Sequence, residues 1–211
     1  MITNVYIDGF NLYYRAVQRT RFKWLDLRRM VEQMFPNDEV REIHYFTAPI
    51  HPQTGDVKAP QRQQTYWRAL RTIPGLRLHM GSFRAREITR PVVERRAREP
   101  AAFATVRGYQ EKRSDVNLAA RLLLDACKGR YEQAVVVSND ADFVTPLTYV
   151  RDELNLRIIL LNPDVRGRTQ RQLAESVSLV KNLRRGNLRS AQLPERLTDE
   201  QDGVISKPAE W

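Results

Sequence analysis

Ala134-Val135-Val136-Val137-Ser138-Asn139-Asp140-Ala141-Asp142 is the stretch whose reading decides the fold. Four apolar residues, three of them β-branched, run without a polar break, as a central parallel strand covered on both faces does. Ser-Asn-Asp then turns the chain, and Phe143 to Leu154 reads as a helix. Downstream, Arg157 to Leu161 is a second apolar strand. At the other end of the chain, Val5-Tyr6-Ile7 is a short apolar run that stops at a turn, Asp8-Gly9. Leu12 to Gln18 reads as helical. Asp26 caps a helix through Met34, with Leu27, Met30, Val31 and Met34 at helical spacing. Val40 to Ala48 reads as a strand, Gln61 to Thr72 as a helix stopped by Pro74-Gly75, and Leu76 to Phe83 as a third strand. Ser114-Asp115 opens a helix that Gly129 ends. Strands alternating with helices predict an α/β fold: a doubly wound, mainly parallel central sheet with helices on both faces. Residues 1–183 are expected to form one domain, with a basic insertion at 84–107. Residues 184–211 form a polar C-terminal extension, in which Trp211 is expected to dock on the body or on a partner.

The charge balance bounds the partner. Thirty-five basic residues against 25 acidic ones give a net charge of +10, in the range where a nucleic acid has to be considered. Hydrophobic residues make up 42%, enough to fill a core. The single cysteine, Cys127, excludes an intrachain disulfide and fits a reducing cytoplasm. Its neighbours Leu122, Leu123, Leu124 and Ala126 make it read as a small core residue rather than a reactive thiol. No apolar run approaches a membrane span, so no membrane partner is expected. The opening Met-Ile-Thr-Asn lacks the pattern of a secretory signal.

Placement turns separate aspartates into one candidate site. In a parallel α/β sheet, ligands bind beyond the carboxyl ends of the strands. Asp8 follows the first strand, and Asp140 and Asp142 follow the Ala134–Val137 strand. Asp115 begins the helix that feeds that strand, at the same end of the sheet. Each alone has a bland reading as a turn or a helix cap. Together on one edge they repel one another unless a hard cation neutralises them. Mg²⁺ prefers carboxylate oxygens and takes phosphate oxygens as further ligands. Asn11, three residues after Asp8, and Ser138, before the Asn-Asp turn, are candidate supporting groups. Lys112 and Arg113 lie next to Asp115 and are expected either to meet a substrate phosphate or to pair with the acidic cluster. Arg84 and Arg86 open an arginine-rich segment, Arg84 to Arg107, suited to a phosphate backbone. The helix bearing Arg62, Tyr66, Trp67 and Arg68 could stack bases, but its aromatics are read as core-facing.

Three motifs in order carry a resemblance: Tyr6-Ile7-Asp8-Gly9-Phe10-Asn11-Leu12, Lys112-Arg113-Ser114-Asp115-Val116-Asn117-Leu118-Ala119, and Val137-Ser138-Asn139-Asp140-Ala141-Asp142-Phe143 with Pro146-Leu147. The chain resembles the NYN domain family, the LabA-like branch of the PIN-like nucleases, from about Val5 to Val180. The resemblance implies a PIN-like fold, a Mg²⁺ or Mn²⁺ site with Asp8, Asp115, Asp140 and Asp142 as its acidic ligands, and RNA, single-stranded or structured, as substrate. The family often has Lys-Gly where this chain has Arg113-Ser114, and Ser-Gly-Asp-Gly-Asp where it has Ser-Asn-Asp-Ala-Asp.

The expectation is therefore a metal-dependent endoribonuclease of the cytoplasm. Asp8 and Asp140 are expected to ligate directly, Asp115 and Asp142 directly or through water. An RNA-binding or partner-recruiting module with little catalysis and a metal-dependent phosphatase are the alternatives. Assembly into a homo-oligomer is left open.

Overall fold

A computed structural model describes residues 1–52, 56–91, 103–199 and 201–211, with the backbone alone described for 84–88, 90–91 and 106–111. Strand β1 (Ile2–Asp8) leads into α1 (Gly9–Leu12), and α2 (Leu27–Met34) leads into β2 (Glu39–Thr47). Then come α3 (Ala59–Arg71), β3 (Leu76–Met80), β4 (Ser82–Pro91), β5 (Phe103–Lys112) and α4 (Ser114–Cys127). The second half carries β6 (Gln133–Val137), α5 (Val144–Thr148), β7 (Arg157–Asn162), α6 (Arg171–Glu175), β8 (Leu179–Asn182) and α7 (Arg185–Ser190). A small hairpin, β9 (Arg196–Thr198) with β10 (Val204–Ser206), follows.

Six strands form one sheet in the order β3-β2-β1-β6-β7-β8, and each neighbouring pair is parallel. The alternation of side chains along each strand builds two cores, one per face. Val5, Ile7, Val135 and Val137 face the side packed by Met30, Val31, Leu70 and Leu188. Tyr6, Val136 and Leu160 face the side packed by Leu118, Leu122, Phe143 and Leu147. This is why the runs at β1, β6 and β7 are apolar at nearly every position: both faces are dry.

Local chemistry sets the helix starts. Asp26 caps α2 by accepting the Arg29 N–H at 2.9 Å. Pro60 sits in the first turn of α3, where its missing N–H costs nothing. Two helices are extended by π-helical turns, Tyr13–Val17 after α1 and Tyr149–Glu153 after α5.

Several expectations change. The third strand ends at Met80; of the Arg84–Arg107 segment, residues 84–91 and 103–107 lie in β4 and β5, which pair antiparallel from Ser82↔Lys112 to Pro91↔Phe103, and residues 92–102 lie outside the described residues. Cys127 is exposed rather than in the core, because the apolar side of α4 runs through Leu118, Leu122 and Ala126 and leaves the last residue turned outward. The polar C-terminal stretch is tied to the body: the Trp24 indole N–H donates to the Pro194 carbonyl at 2.7 Å, and Leu25 bridges to Gln192. Trp211 packs with ring centroids 6.1 Å from Trp24 and 5.8 Å from Tyr66. Among the described residues no helix is long and apolar enough to cross a membrane.

Candidate active site

The strand order reverses between β1 and β6. From β1 the chain winds outward through β2 and β3, and from β6 it winds the other way through β7 and β8. The crevice beyond the carboxyl ends at such a switch is where a ligand meets the fewest covering segments. Asp8 ends β1, and Ser138-Asn139-Asp140 follows β6.

A chain of hydrogen bonds stitches the two strand ends together. Asp8 caps α1: its Oδ1 accepts the Asn11 N–H at 2.9 Å, and its Oδ2 accepts the Ser138 hydroxyl at 3.1 Å. The same hydroxyl oxygen accepts the Asp140 N–H at 3.2 Å, so Ser138 uses both its donor and an acceptor lone pair. Asp140 accepts the Asp142 N–H at 3.1 Å. Asn11 reaches across to accept the Asn139 N–H at 3.0 Å, and the Asn139 amide donates to the Arg168 carbonyl at 2.8 Å. Asn11 and Ser138 thus fix the Asp8 carboxylate and the backbone of the turn that carries Asp140.

Electrostatics single out Asp8. It is only 6% exposed. Burial pushes its carboxyl up to about pKa 6; the Asn11 N–H and the Ser138 hydroxyl resist, while the charges of Asp115 and Asp140 push further upward. Three of the four predicted aspartates therefore act on one another at the switch point. Asp142 is exposed in the turn after Asp140. Asp115 lies in the first turn of α4, next to Arg113, whose backbone is left-handed at φ 84°. A non-glycine residue in that conformation carries strain of about 1–3 kcal/mol and is concentrated at functional sites. Among the described residues, no three or more His, Cys, Asp or Glu side chains are grouped so as to hold a metal ion.

Lys112 and Arg113 are exposed beside Asp115. Arg84 and Arg86 fall on β4, and their side chains lie outside the described residues. The sequence reading passed over a different set of cations. A groove of about 500 Å³ is bordered by Arg15, Arg19, Arg166, Arg168 and Arg185. It adjoins the switch point through the Asn139–Arg168 bond. Asp164, just past β7 and 7% exposed, lies there too, within 3.9 Å of Arg15 and 3.8 Å of Arg168. The available signal was the spacing of Arg166 and Arg168 directly after an apolar strand.

A third buried acidic residue, Asp125, lies under β1 to β3 on α4. It is fully buried and accepts from the Tyr6 hydroxyl at 3.0 Å, the Arg121 Nε at 2.8 Å and the Arg130 guanidinium at 2.9 Å. His44 stands 3.5 Å from it and shares a ring-nitrogen contact of 3.0 Å with His79. Burial, then His79 and Arg121, lower His44 to about pKa 4, so its imidazole is neutral near pH 7.

Comparison with known proteins places this geometry. The NYN domain family model matches residues 2–179. The 6-hydroxy-3-succinoylpyridine 3-monooxygenase HspA of Pseudomonas putida is 28% identical over 245 aligned positions, covering 99% of this chain and 75% of that protein. A crystal structure of a protein of unknown function from Vibrio parahaemolyticus superposes with a TM-score of 0.57 at 16% identity, covering 90% of this chain and 95% of the other, which is a likeness of fold.

Proposed function

Because the chain belongs to the NYN domain family, within the PIN-like nuclease superfamily, we propose that it is a metal-dependent endoribonuclease working at the crevice between β1 and β6. One observation carries this reading: Asp8 is buried, and Asp115 and Asp140 bear on it with like charge. Such a group is costly to keep ionised unless a cation answers it.

The donor set is all hard oxygen, which suits Mg²⁺ or Mn²⁺. Mg²⁺ keeps most of its waters and commonly takes only one or two carboxylates from the protein, so Asp8 and Asp140 do not need a preformed group of three ligands around them. Asp8 and Asp140 would hold the ion, with Asp115 and Asp142 contributing directly or through water. When bound, the ion supplies positive charge to the scissile phosphate and acidifies water. The chain's own residues do the rest. The Asn11 N–H and the Ser138 hydroxyl hold the Asp8 carboxylate, the Asp142 N–H holds that of Asp140, and Ser138 and Asn11 pin the backbone of the Asn139-Asp140 turn. Arg15, Arg19, Arg166, Arg168 and Arg185 offer a track for the RNA backbone leading to the crevice. Lys112 and Arg113 stand on the Asp115 side.

Purified protein is incubated with single-stranded and hairpin RNAs in Mn²⁺, in EDTA, and as Asp8→Asn. The expectation is cleavage that EDTA stops and that the substitution reduces by about two orders of magnitude or more, as loss of several kcal/mol of charge stabilisation does. Cleavage that survives either treatment overturns the metal mechanism. Tight, salt-sensitive binding without turnover would instead make the chain an RNA-binding module.

A second reading has one observation in its favour, the alignment over 99% of this chain to a protein named as a pyridine monooxygenase. It predicts consumption of dioxygen, with an electron donor supplied, in the presence of a hydroxypyridine. No dioxygen uptake by active, folded protein removes it.

A further inference from the structure

A pocket of about 430 Å³ lies against the α4 face of the sheet, toward the end where the strands begin. Asn4 of β1, Arg41 and Glu42 of β2, Arg77 of β3, and Arg121 and Arg130 line it. α4 starts beside Asp115 at the crevice and runs past Arg121 toward Arg130, so pocket and crevice stand toward opposite ends of that helix.

An irregularity in the sheet builds it. β1 and β2 pair Thr3↔Val40 and then Asn4↔Glu42, which leaves Arg41 as an extra residue on β2. Such a bulge interrupts the alternation of side chains and re-aims the one left over. Arg41 therefore joins Glu42 in one pocket, although neighbours on a regular strand face opposite sides of the sheet.

Charge and hydrogen bonding restrict what the pocket can hold. The buried Asp125 takes Arg121 Nε at 2.8 Å and Arg130 at 2.9 Å, and Glu42 takes Arg77 at 2.7 Å. Among the described residues Arg41 meets no carboxylate; its guanidinium approaches only the Arg130 carbonyl, at 3.5 Å. Burial and nearby arginines keep His44 and His79 neutral near pH 7. Four guanidinium groups thus face two carboxylates, and a dianion balances them. Guanidinium forks match the oxygens of a phosphate or sulfate.

The choice between those two falls to Asn4. It is 1% exposed, and neither its amide nitrogen nor its amide oxygen has a hydrogen-bond partner among the described residues. The Tyr6 hydroxyl beside it gives its proton to Asp125 and so offers none to the amide oxygen. Such unpaired groups are costly. What is missing is one acceptor and one donor. Monohydrogen phosphate brings both, in its oxygens and its P–OH. Sulfate, of equal charge, has no donor, and a phosphodiester has a single charge and no P–OH.

We propose that this pocket binds monohydrogen phosphate, with Arg41 and Arg77 answering its charge and Asn4 reading its P–OH. The site is separate from the β1–β6 crevice and does not need the nuclease reading.

Isothermal titration of the full chain in EDTA, at about pH 8 where the dianion prevails, compares phosphate, sulfate and uridine 5′-monophosphate. Phosphate is expected to bind, with sulfate and the monoester about tenfold weaker, the order for one buried group left unpaired. Arg41→Ala, at an exposed position, should weaken phosphate about tenfold or more, as loss of a charge-assisted hydrogen bond does. Arg189→Ala, an equal loss of charge at an exposed position on α7, should leave phosphate within about twofold, because distant exposed charges are screened. Asn4→Ala should bring phosphate down to the level of sulfate and leave sulfate unchanged, a loss of preference that damage to the fold would not produce. If Asn4→Ala does not fold, Arg41→Ala and the ranking of anions by the wild type decide. Absence of phosphate binding overturns the proposal. So does equal binding of phosphate and sulfate by the wild type, or a preference that survives Asn4→Ala. Equal weakening by Arg41→Ala and Arg189→Ala would reduce the effect to net charge and overturn it too. Tighter binding of the monoester than of phosphate overturns the choice of the free ion.

Discussion

Asp8 and Asp125 are both buried and oppositely treated by their surroundings. Asp125, fully buried, sits among two guanidinium groups and a phenol that donate to it. Asp8, 6% exposed, faces Asp115 and Asp140. Burial of a carboxylate is thus not the informative fact; the sign of what surrounds it is. The Asp125 cluster satisfies itself and supports the fold. At the switch point Asp8 has only neutral donors, the Asn11 N–H and the Ser138 hydroxyl, against the like charges of Asp115 and Asp140, which makes its ionised form a cost to the folded chain.

The sharpest break of this contrast is Asp125→Ala. It strands Arg121 and the Tyr6 hydroxyl, and is expected to lower the unfolding free energy in urea by about 3 kcal/mol, the lower end for breaking a buried pair, because Arg130 is 41% exposed and can turn to water. A loss under 1 kcal/mol would mean the cluster is not the fold's support. Next comes the cation. Mg²⁺ at about a hundred times its dissociation constant should stabilise the wild type by about 2.7 kcal/mol and should leave Asp8→Asn unmoved; equal stabilisation of both proteins would place the ion elsewhere.

Without metal, Asp8→Asn should act in the opposite direction to Asp125→Ala. The Asp8 carboxyl is raised from 3.8 to about 6 in the folded chain, so its ionised form opposes folding. That cost is absent below about pH 4, grows as pH rises toward 6, and is full above it. At pH 7.5 in EDTA the substitution should therefore stabilise by roughly 1–3 kcal/mol, with no gain at pH 3.5. Destabilisation at pH 7.5 would show that Asp8 is compensated after all. The smallest effect belongs to Tyr6→Phe, which removes one of the donors to Asp125 and should cost about 1 kcal/mol; a larger loss would mean that the phenol, not the guanidinium groups, carries the cluster.

Much of the sheet was legible because fully covered strands are apolar at every position, as at Ala134–Val137 and Ile158–Leu161. Strand ends were legible for the same reason: the apolar run stops where Asp8 and Ser138 begin. β8 was not. Its Leu179-Val180-Lys181-Asn182 lies at the edge of the sheet, half covered, and so lacks a continuous run. The β4–β5 hairpin was hidden because arginines along it mask any alternation. Asp125 escaped notice because Arg121 four residues earlier makes the pair look like an ordinary exposed helix face. The coincidence of Asp8, Asp115 and Asp140 followed from topology alone. That Asp142 stands outside in the turn did not, since two residues in a tight turn take different directions.

The β4–β5 hairpin leaves the body after Met80 and returns at Lys112, and its base is the pair Ser82↔Lys112. Entry and exit are neighbours, so the ladder above them can be lengthened or shortened two residues at a time without moving β3 or the helix that carries Asp115. A change in the length of that ladder can therefore alter what the chain reaches for without shifting the carboxylates that wait at the crevice.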